Sequence, residues 1–141
     1  MATAKRYTDF PNGIKGFPRS GVTQTETATH TLTAAECTKG ATILHDASSA
    51  IVVTLPILTG VVGGLVTIVN MNAGQLLTID PNAADGIAFA GNVTDGKTIV
   101  NTAATAKKGD YVTLYTSGSL TTGVANYWNV AAVGGIWADG A

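Results

Sequence analysis

The sequence has few charged side chains and almost none of the long polar side chains that cover helices. Charged residues make up 12% of the 141 residues, about half of the roughly 25% in an average soluble protein. Only 2 Glu and 2 Gln are present, although such residues normally fill the exposed faces of helices. We therefore do not expect a helical bundle or a coiled coil.

Cysteine and long apolar runs are scarce as well. The single cysteine, Cys37, excludes an intramolecular disulfide framework and a cysteine-rich zinc site. Proline, glycine and asparagine interrupt the stretch from Leu55 to Met71, so we expect no membrane span, which takes about 20 apolar residues. The first residues lack the apolar core of a signal peptide, so we expect synthesis in a cytoplasm.

The sequence is rich in β-branched residues, with 22 Thr, 13 Val and 9 Ile. Such side chains are stiff at the first torsion angle and fit a pleated surface. Apolar residues make up 45% of the chain, too many for a disordered protein. The low charge predicts a surface of small polar and apolar residues, which is typical of a protein that packs against other subunits.

The first segment is basic and aromatic. Residues 1–19 have a net charge of +3 and the remaining 122 residues sum to −4, while no period of two or 3.6 runs through the segment. We interpret residues 1–27 as an extended arm that docks on another molecule and residues 28–141 as one domain; a frayed terminus is the alternative. Four basic residues are too few and too spread to indicate nucleic-acid binding. The side chains expected to make the docking contact are Lys5, Arg6, Tyr7, Phe10, Phe17 and Arg19.

Short β-type runs bounded by turn residues follow from about residue 29 to residue 138. Their spacing of about 8–12 residues is typical of a β-sandwich or barrel. In Tyr111–Thr116, odd and even positions are expected to face opposite sides of a sheet, and both faces of Leu65–Met71 are apolar enough to be covered. Thr33–Glu36 has the spacing of a capping box, but Gly40 limits it to about one helical turn. Thr102–Lys108 is interpreted as a loop, although its alanine content would also suit a helix.

The segment Gly91–Thr98 matches the phosphate-loop pattern G-x-x-x-x-G-K-[ST]. A phosphate loop must lead into a helix, whose N-terminal amides bind the phosphates. The residues after Thr98 are β-branched and have no amphipathic period. We therefore interpret the pattern as two turns rather than a nucleotide site.

The remaining candidates for catalysis or metal binding are weak. Cys37 and His45, with Asp46 beside the histidine, would be a nucleophile pair, but a lone cysteine is more often a small buried apolar residue. His30, His45 and Asp46 have no spacing typical of metal ligands. None of the nine carboxylates forms an evident facing pair. We expect no enzymatic activity, no cofactor and no metal ion.

Both tryptophans lie near the C-terminus. We predict that Trp128 belongs to the core. Trp137 lies close to the end of the sequence, where a single domain often leaves little to cover it, so we predict that it packs at a subunit interface with Ile136 and Tyr127.

Five segments together resemble small bacteriophage virion proteins. They are an apolar strand ending in Leu-Pro, a Gly-rich link with a strand ending in Asn, an Ala-Gly-Gln-Leu-Leu-Thr-Ile-Asp-Pro segment, a Gly-Asp-Tyr-Val-Thr-Leu segment and a closing aromatic segment: 51–56, 59–70, 73–81, 109–114 and 127–137. The resemblance covers residues 27–138 and is to the β-domains of head decoration (cement) proteins and of some tail or head fibre modules. Those proteins are usually trimers, often led by a segment like Phe10–Ile14.

The resemblance and the residue patterns together give the following expectations. We expect an all-β, antiparallel, sandwich-like or jelly-roll-like domain that forms a homotrimer. The trimer is expected to bind the major capsid protein on the outer surface of a phage capsid through the arm, and to stabilise the head. The alternative is a trimeric tail or head fibre module that binds host-surface glycans through aromatic residues such as Trp137. We expect no nucleic acid, membrane or small-molecule partner.

Overall fold

A computed structural model describes residues 23–61, 63–83, 85–90, 96–116 and 126–140. Over these residues the chain is built from strands, with one short helix and one 3₁₀ turn. In chain order, the elements are β1 (Thr23–Glu26), β2 (His30–Thr31), α1 (Ala34–Lys39), β3 (Thr42–His45), β4 (Ile51–Thr54), the 3₁₀ turn (Leu58–Gly60), β5 (Leu65–Asn70), β6 (Leu77–Asp80), β7 (Asp85–Ala88), β8 (Ile99–Asn101), β9 (Asp110–Tyr115), β10 (Asn126–Gly134) and β11 (Ala138–Asp139).

The strands form two mixed sheets. The six-stranded sheet has the order β1-β3-β5-β9-β10-β7 and the five-stranded sheet the order β11-β8-β6-β4-β2. The first six strands alternate between the sheets, so that β1, β3 and β5 lie side by side in parallel in one sheet and β2, β4 and β6 in the other. Strands β8 and β9 then pair antiparallel with β6 and β5. The all-β prediction is confirmed at this level.

The predicted antiparallel arrangement holds only in part, because both sheets contain parallel pairs beside antiparallel ones. From β1 to β6, successive strands within a sheet are separated by a strand of the other sheet, so the chain returns to each sheet in the same direction and makes parallel pairs. Hydrophobic alternation marks where strands occur, but it does not reveal their direction.

Strand β1 lies inside the segment 1–27 that we assigned to the arm. It pairs in parallel with β3, with Thr23 opposite Thr42 and Glu26 opposite His45, so Thr23–Glu26 belong to the domain. Its sequence, Thr-Gln-Thr-Glu, has no apolar residue. As an edge strand it is held by backbone pairing rather than by burial, and the hydrophobic pattern therefore misses it.

Helix α1 confirms the short helical turn predicted from the capping box. The Thr33 side chain accepts a hydrogen bond from the Glu36 backbone N–H, and the Glu36 carboxylate accepts one from the Thr33 backbone N–H. Gly40 ends the helix in the left-handed region with φ of 74°, which glycine adopts at no steric cost. Thr102–Lys108 forms turns, as the loop interpretation predicted.

Both sheets contribute to one hydrophobic core. Trp128 is fully buried, which confirms its predicted place, and side chains such as Ile68 from the larger sheet and Ile79 from the smaller sheet lie in the same cluster. Each such fully buried aliphatic side chain contributes about 1.5–3 kcal/mol. Strand β5, however, buries only its Val66–Ile68–Asn70 side, so the expectation that both its faces are covered does not hold within one chain.

Candidate functional site

The most connected polar group in the described chain is a buried network that joins the two sheets. The Asn70 Nδ2 amide donates to Asn101 Oδ1 over 2.7 Å, and Asn101 Nδ2 donates to Asp110 Oδ2 over 2.9 Å. All three side chains are buried. They lie at the end of β5, the end of β8 and the start of β9, where Asn70 and Asp110 are direct partners in the sheet.

Backbone groups make further hydrogen bonds with the side chains of this network. Asn101 Nδ2 also donates to the Ile136 carbonyl, while Asp110 Oδ2 accepts from the Lys107 backbone N–H. Gly135, with φ of 88°, lies against the Asp110 carboxylate so closely that a Cβ at that position would stand 2.2 Å from its Cγ. The Asp110 carboxylate is thus packed and hydrogen-bonded as a structural group.

His45 is a buried histidine without a hydrogen-bond partner. Its side chain is 1% exposed, and within the described residues neither Nδ1 nor Nε2 has a partner. Burial, with a smaller contribution from the charge of His30, lowers the pKa of His45 from 6.5 to about 4. The ring is therefore neutral at pH 7.

Cys37, which with His45 is a weak candidate for a nucleophile pair, is fully buried on α1. Burial, helped by the nearby Glu36 carboxylate, raises the pKa of the Cys37 thiol to about 12. The thiolate is the nucleophilic form, so this side chain is a small apolar residue at neutral pH. That agrees with the simpler interpretation of a lone cysteine.

His30 lies between two carboxylates at the surface. Its Nε2 is 3.2 Å from Glu36 Oε1 and its Nδ1 is 3.9 Å from Glu26 Oε2. Burial acts to raise the pKa of Glu36, but hydrogen bonds from Thr33 together with His30 outweigh it and hold that pKa below 4.5. Among the described residues no group of three His, Cys, Asp or Glu side chains is placed to hold a metal ion.

The phosphate-loop pattern is followed by a strand. Gly96 lies in a turn and β8 begins at Ile99, one residue after Thr98, so no helix N-terminus is formed at the place where the motif requires one. Residues 91–95 lie outside the described residues. No helix of the described chain is long and apolar enough to cross a membrane.

Among the described residues, the outer side of the six-stranded sheet, the side turned away from the core, exposes several large apolar side chains. We call it the outward face. Strand alternation and register place the members of this face in rows that run across the sheet. One row contains Thr25, Leu44, Val69 and Tyr111, and the next contains Thr23, Thr42, Thr67 and Thr113.

Two large side chains complete a third row of this face. Leu65 on β5 is 40% exposed and its cross-strand partner Tyr115 on β9 is 44% exposed, while Tyr111, two residues earlier on the same side of β9 as Thr113, is 36% exposed. Three further large apolar side chains are exposed among the described residues. Ile57 and Ile136 lie in loops, and Val133 lies on β10. Thr67 and Thr113 share a hydrogen bond of 3.0 Å between their hydroxyls.

Charged side chains avoid the outward face. Glu26, Asp85 and Asp110 are the charged residues described within strands of this sheet. Glu26 and Asp110 are paired in register with the core-side residues His45 and Asn70, and Asp85 is buried. The outer side of the smaller sheet differs, since Thr31, Thr54 and the half-buried Asp80 share one of its rows.

The residues predicted from the sequence fall in three places. The arm residues Lys5, Arg6, Tyr7, Phe10, Phe17 and Arg19 lie outside the described residues. Ile136 is 58% exposed, and Tyr127 is half-buried on the same side of β10 as Asn129, the partner of Tyr115.

Trp137 is largely covered within the single chain. It is only 8% exposed within a single chain, and its Nε1–H donates to the Gly134 carbonyl over 3.1 Å. The reason for assigning it to an interface, a lack of material to cover it, therefore does not hold, and little of its surface remains for a subunit or a sugar. Sequence reasoning overlooked Tyr111 and Tyr115, although their alternation with Val112 and Leu114 already places them on the outer side.

Comparison with known proteins gives no relative from which a function can be taken. No family model, no curated protein and no solved structure matches the chain.

Proposed function

We propose that this chain is a structural subunit of a phage particle, a head decoration protein that forms a homotrimer on the outer surface of the capsid and stabilises the head. The proposal includes a sandwich-like packing of the two sheets. It starts from the resemblance of segments 51–137 to decoration proteins.

One observation carries the proposal, which is the contrast between three buried titratable side chains and the exposed apolar side chains of the surface. Asp110, His45 and Cys37 are all buried within the fold, and the Asp110 carboxylate accepts two hydrogen bonds at Oδ2 from neighbouring groups. Large apolar side chains, in contrast, remain exposed on a chain with little charge. Such a surface favours association with other subunits.

The mechanism of a decoration protein would be mechanical. Copies that bury apolar surface against one another gain about 25 cal/mol per Å². A trimer that attaches at several points raises its effective affinity for the capsid without stronger single contacts. The basic and aromatic residues of the arm, with a net charge of +3 over residues 1–19, supply attachment points that differ in charge from the rest of the chain.

Removal of residues 1–20 tests this function. The deletion leaves β1, which begins at Thr23, and we expect the shortened chain to remain folded and trimeric but to lose its binding to empty capsids of the parent phage. The measurement is co-sedimentation of the chain with those capsids.

A pair of double variants separates the arm from charge in general. Lys5→Ala with Arg6→Ala should weaken capsid binding, whereas Lys107→Ala with Lys108→Ala, at two exposed lysines of the described turn before β9, should leave it unchanged. Capsid binding that survives the deletion of residues 1–20 would refute the assigned role of the arm.

A further inference from the structure

We propose that the outward face of the six-stranded sheet is the surface through which copies of this chain pack together. The inference rests on the proposed function in so far as that function requires a homo-oligomer, and it adds the surface and the residues. It replaces Trp137 as the centre of the subunit contact.

The first argument is that this face carries exposed large apolar side chains at its centre and is already ordered. Leu65, Tyr111 and Tyr115 lie on adjacent strands in the centre of the sheet. Strands β5 and β9 fix their backbones, so little conformational entropy is lost when a partner covers them. Tyrosine side chains are common at the centres of protein interfaces because they bury large area with few torsion angles to fix.

The second argument is size. Six strands at about 4.8 Å spacing span about 24 Å, and six residues at about 3.3 Å each span about 20 Å. The flat footprint is therefore about 500 Å², against about 800 Å² of accessible surface that each partner buries in a typical stable complex. The accessible surface of the face is larger than this flat footprint, because the side chains of threonine, leucine and tyrosine project from it.

The third argument is charge, and it selects the occupant. Among the described residues of the outward face there is no carboxylate and no cation, so two copies of this face meet without like-charge repulsion. The arm is a poor occupant, because Lys5, Arg6, Lys15 and Arg19 would find no carboxylate among these residues. A charged partner surface would likewise lose water without gaining an ion pair.

The geometry also suits a threefold assembly. In a closed trimer, three identical sheets can surround the symmetry axis, and the side chains nearest the axis then approach their own copies. Central tyrosines on β9, the fourth strand across a six-stranded sheet, would then lie near the axis. Ile136, in a loop, would lie outside the contact.

Lysine substitutions test this surface in the full chain. Leu65→Lys and Tyr115→Lys each place a charge in the proposed contact, and we expect each to raise the concentration at which the oligomer dissociates by about 100-fold or more. Ile57→Lys and Ile136→Lys are matched controls, since their side chains are 45% and 58% exposed outside the face, and they should dissociate as the natural chain does. Analytical ultracentrifugation over a dilution series is the measurement, and circular dichroism checks the fold.

Hydroxyl-radical footprinting supplies a second readout that needs no substitution. In the assembled chain we expect oxidation of Tyr111 and Tyr115 to be slowed relative to Ile57 and Ile136, and we expect that protection to persist when residues 1–20 are deleted. Protection that vanishes with the deletion while the oligomer persists would mean that the arm covers the face, and would overturn the inference.

The failure of this inference is distinguishable from failure of the proposed function. If Leu65→Lys and Tyr115→Lys remain oligomeric while the natural chain binds capsids, the surface is wrong and the function stands. If both variants dissociate but the natural chain does not bind capsids, the surface is right and the decoration function is wrong. A natural chain that is monomeric at all concentrations, or that dissociates only with Ile136→Lys, contradicts the inference.

Discussion

Replacing Asn101 with leucine is expected to lower the free energy of unfolding by about 4 kcal/mol, since three buried polar groups would lose a partner at a cost of about 1–3 kcal/mol each. The three groups are the Asn70 amide, the Asp110 carboxylate and the Ile136 carbonyl. Leucine has the branching of asparagine but a larger volume, so it leaves no cavity, and any overpacking adds to the loss of the hydrogen bonds. Urea unfolding at a fixed protein concentration is the measurement, because the midpoint of an oligomer depends on concentration.

Asn72→Leu is the matched control for this prediction. The Asn72 amide donates to Asp46 Oδ1 over 2.8 Å and to the Ala47 carbonyl over 2.7 Å, but in a partly exposed position. Its partners can turn to water when the amide is lost, so the expected cost is about 1 kcal/mol. Equal losses for Asn101→Leu and Asn72→Leu would refute the special role assigned to the buried network.

Lowering the pH from 7.5 to 4 is expected to cost about 3 kcal/mol of stability through His45 alone. The pKa of His45 is about 4 in the folded chain against an ordinary value of 6.5. Below pH 6.5 the unfolded chain takes up a proton that the folded chain does not bind, so the stability contribution is full above pH 6.5 and falls until the pH reaches about 4. Below that pH the folded chain also takes up the proton and the loss is complete.

His45→Leu removes the titrating ring and should flatten the dependence of the urea midpoint on pH between 6.5 and 4. His30→Gln is the control: it keeps a polar side chain beside Glu26 and Glu36 and should retain most of the dependence. If the His45→Leu chain still loses about 3 kcal/mol over this window, the assignment to His45 is wrong. The pKa of Glu36 is held below 4.5. Stability that is lost when Glu36 takes up a proton is therefore lost at a lower pH than the loss through His45.

The local elements could be predicted from the sequence where one residue pattern reports one physical cause. The alternation in Tyr111–Thr116 follows from the period of a strand that is buried on one side, and the structure has Val112 and Leu114 buried and Tyr111 and Tyr115 exposed. The α1 turn is predictable because Thr33, Glu36 and Gly40 each satisfy a specific backbone group at its ends.

Features that depend on long-range pairing could not be predicted in the same way. Strand direction follows from the alternation of the chain between two sheets, and no residue type records it. In the buried network, Asn70 and Asn101 are 31 positions apart in the sequence, and Asn101 and Asp110 are 9 positions apart. The two asparagines look like turn residues in the sequence. Trp137 is covered by packing against the core cluster, which its position near the end of the sequence does not indicate.

The mass of the natural full chain in solution tests the central claim, that this protein is a self-assembling subunit, most directly. Light scattering at micromolar concentration should give about 43 kDa, three times the 14.3 kDa of one chain. A mass of 14.3 kDa that does not change with concentration would contradict the account.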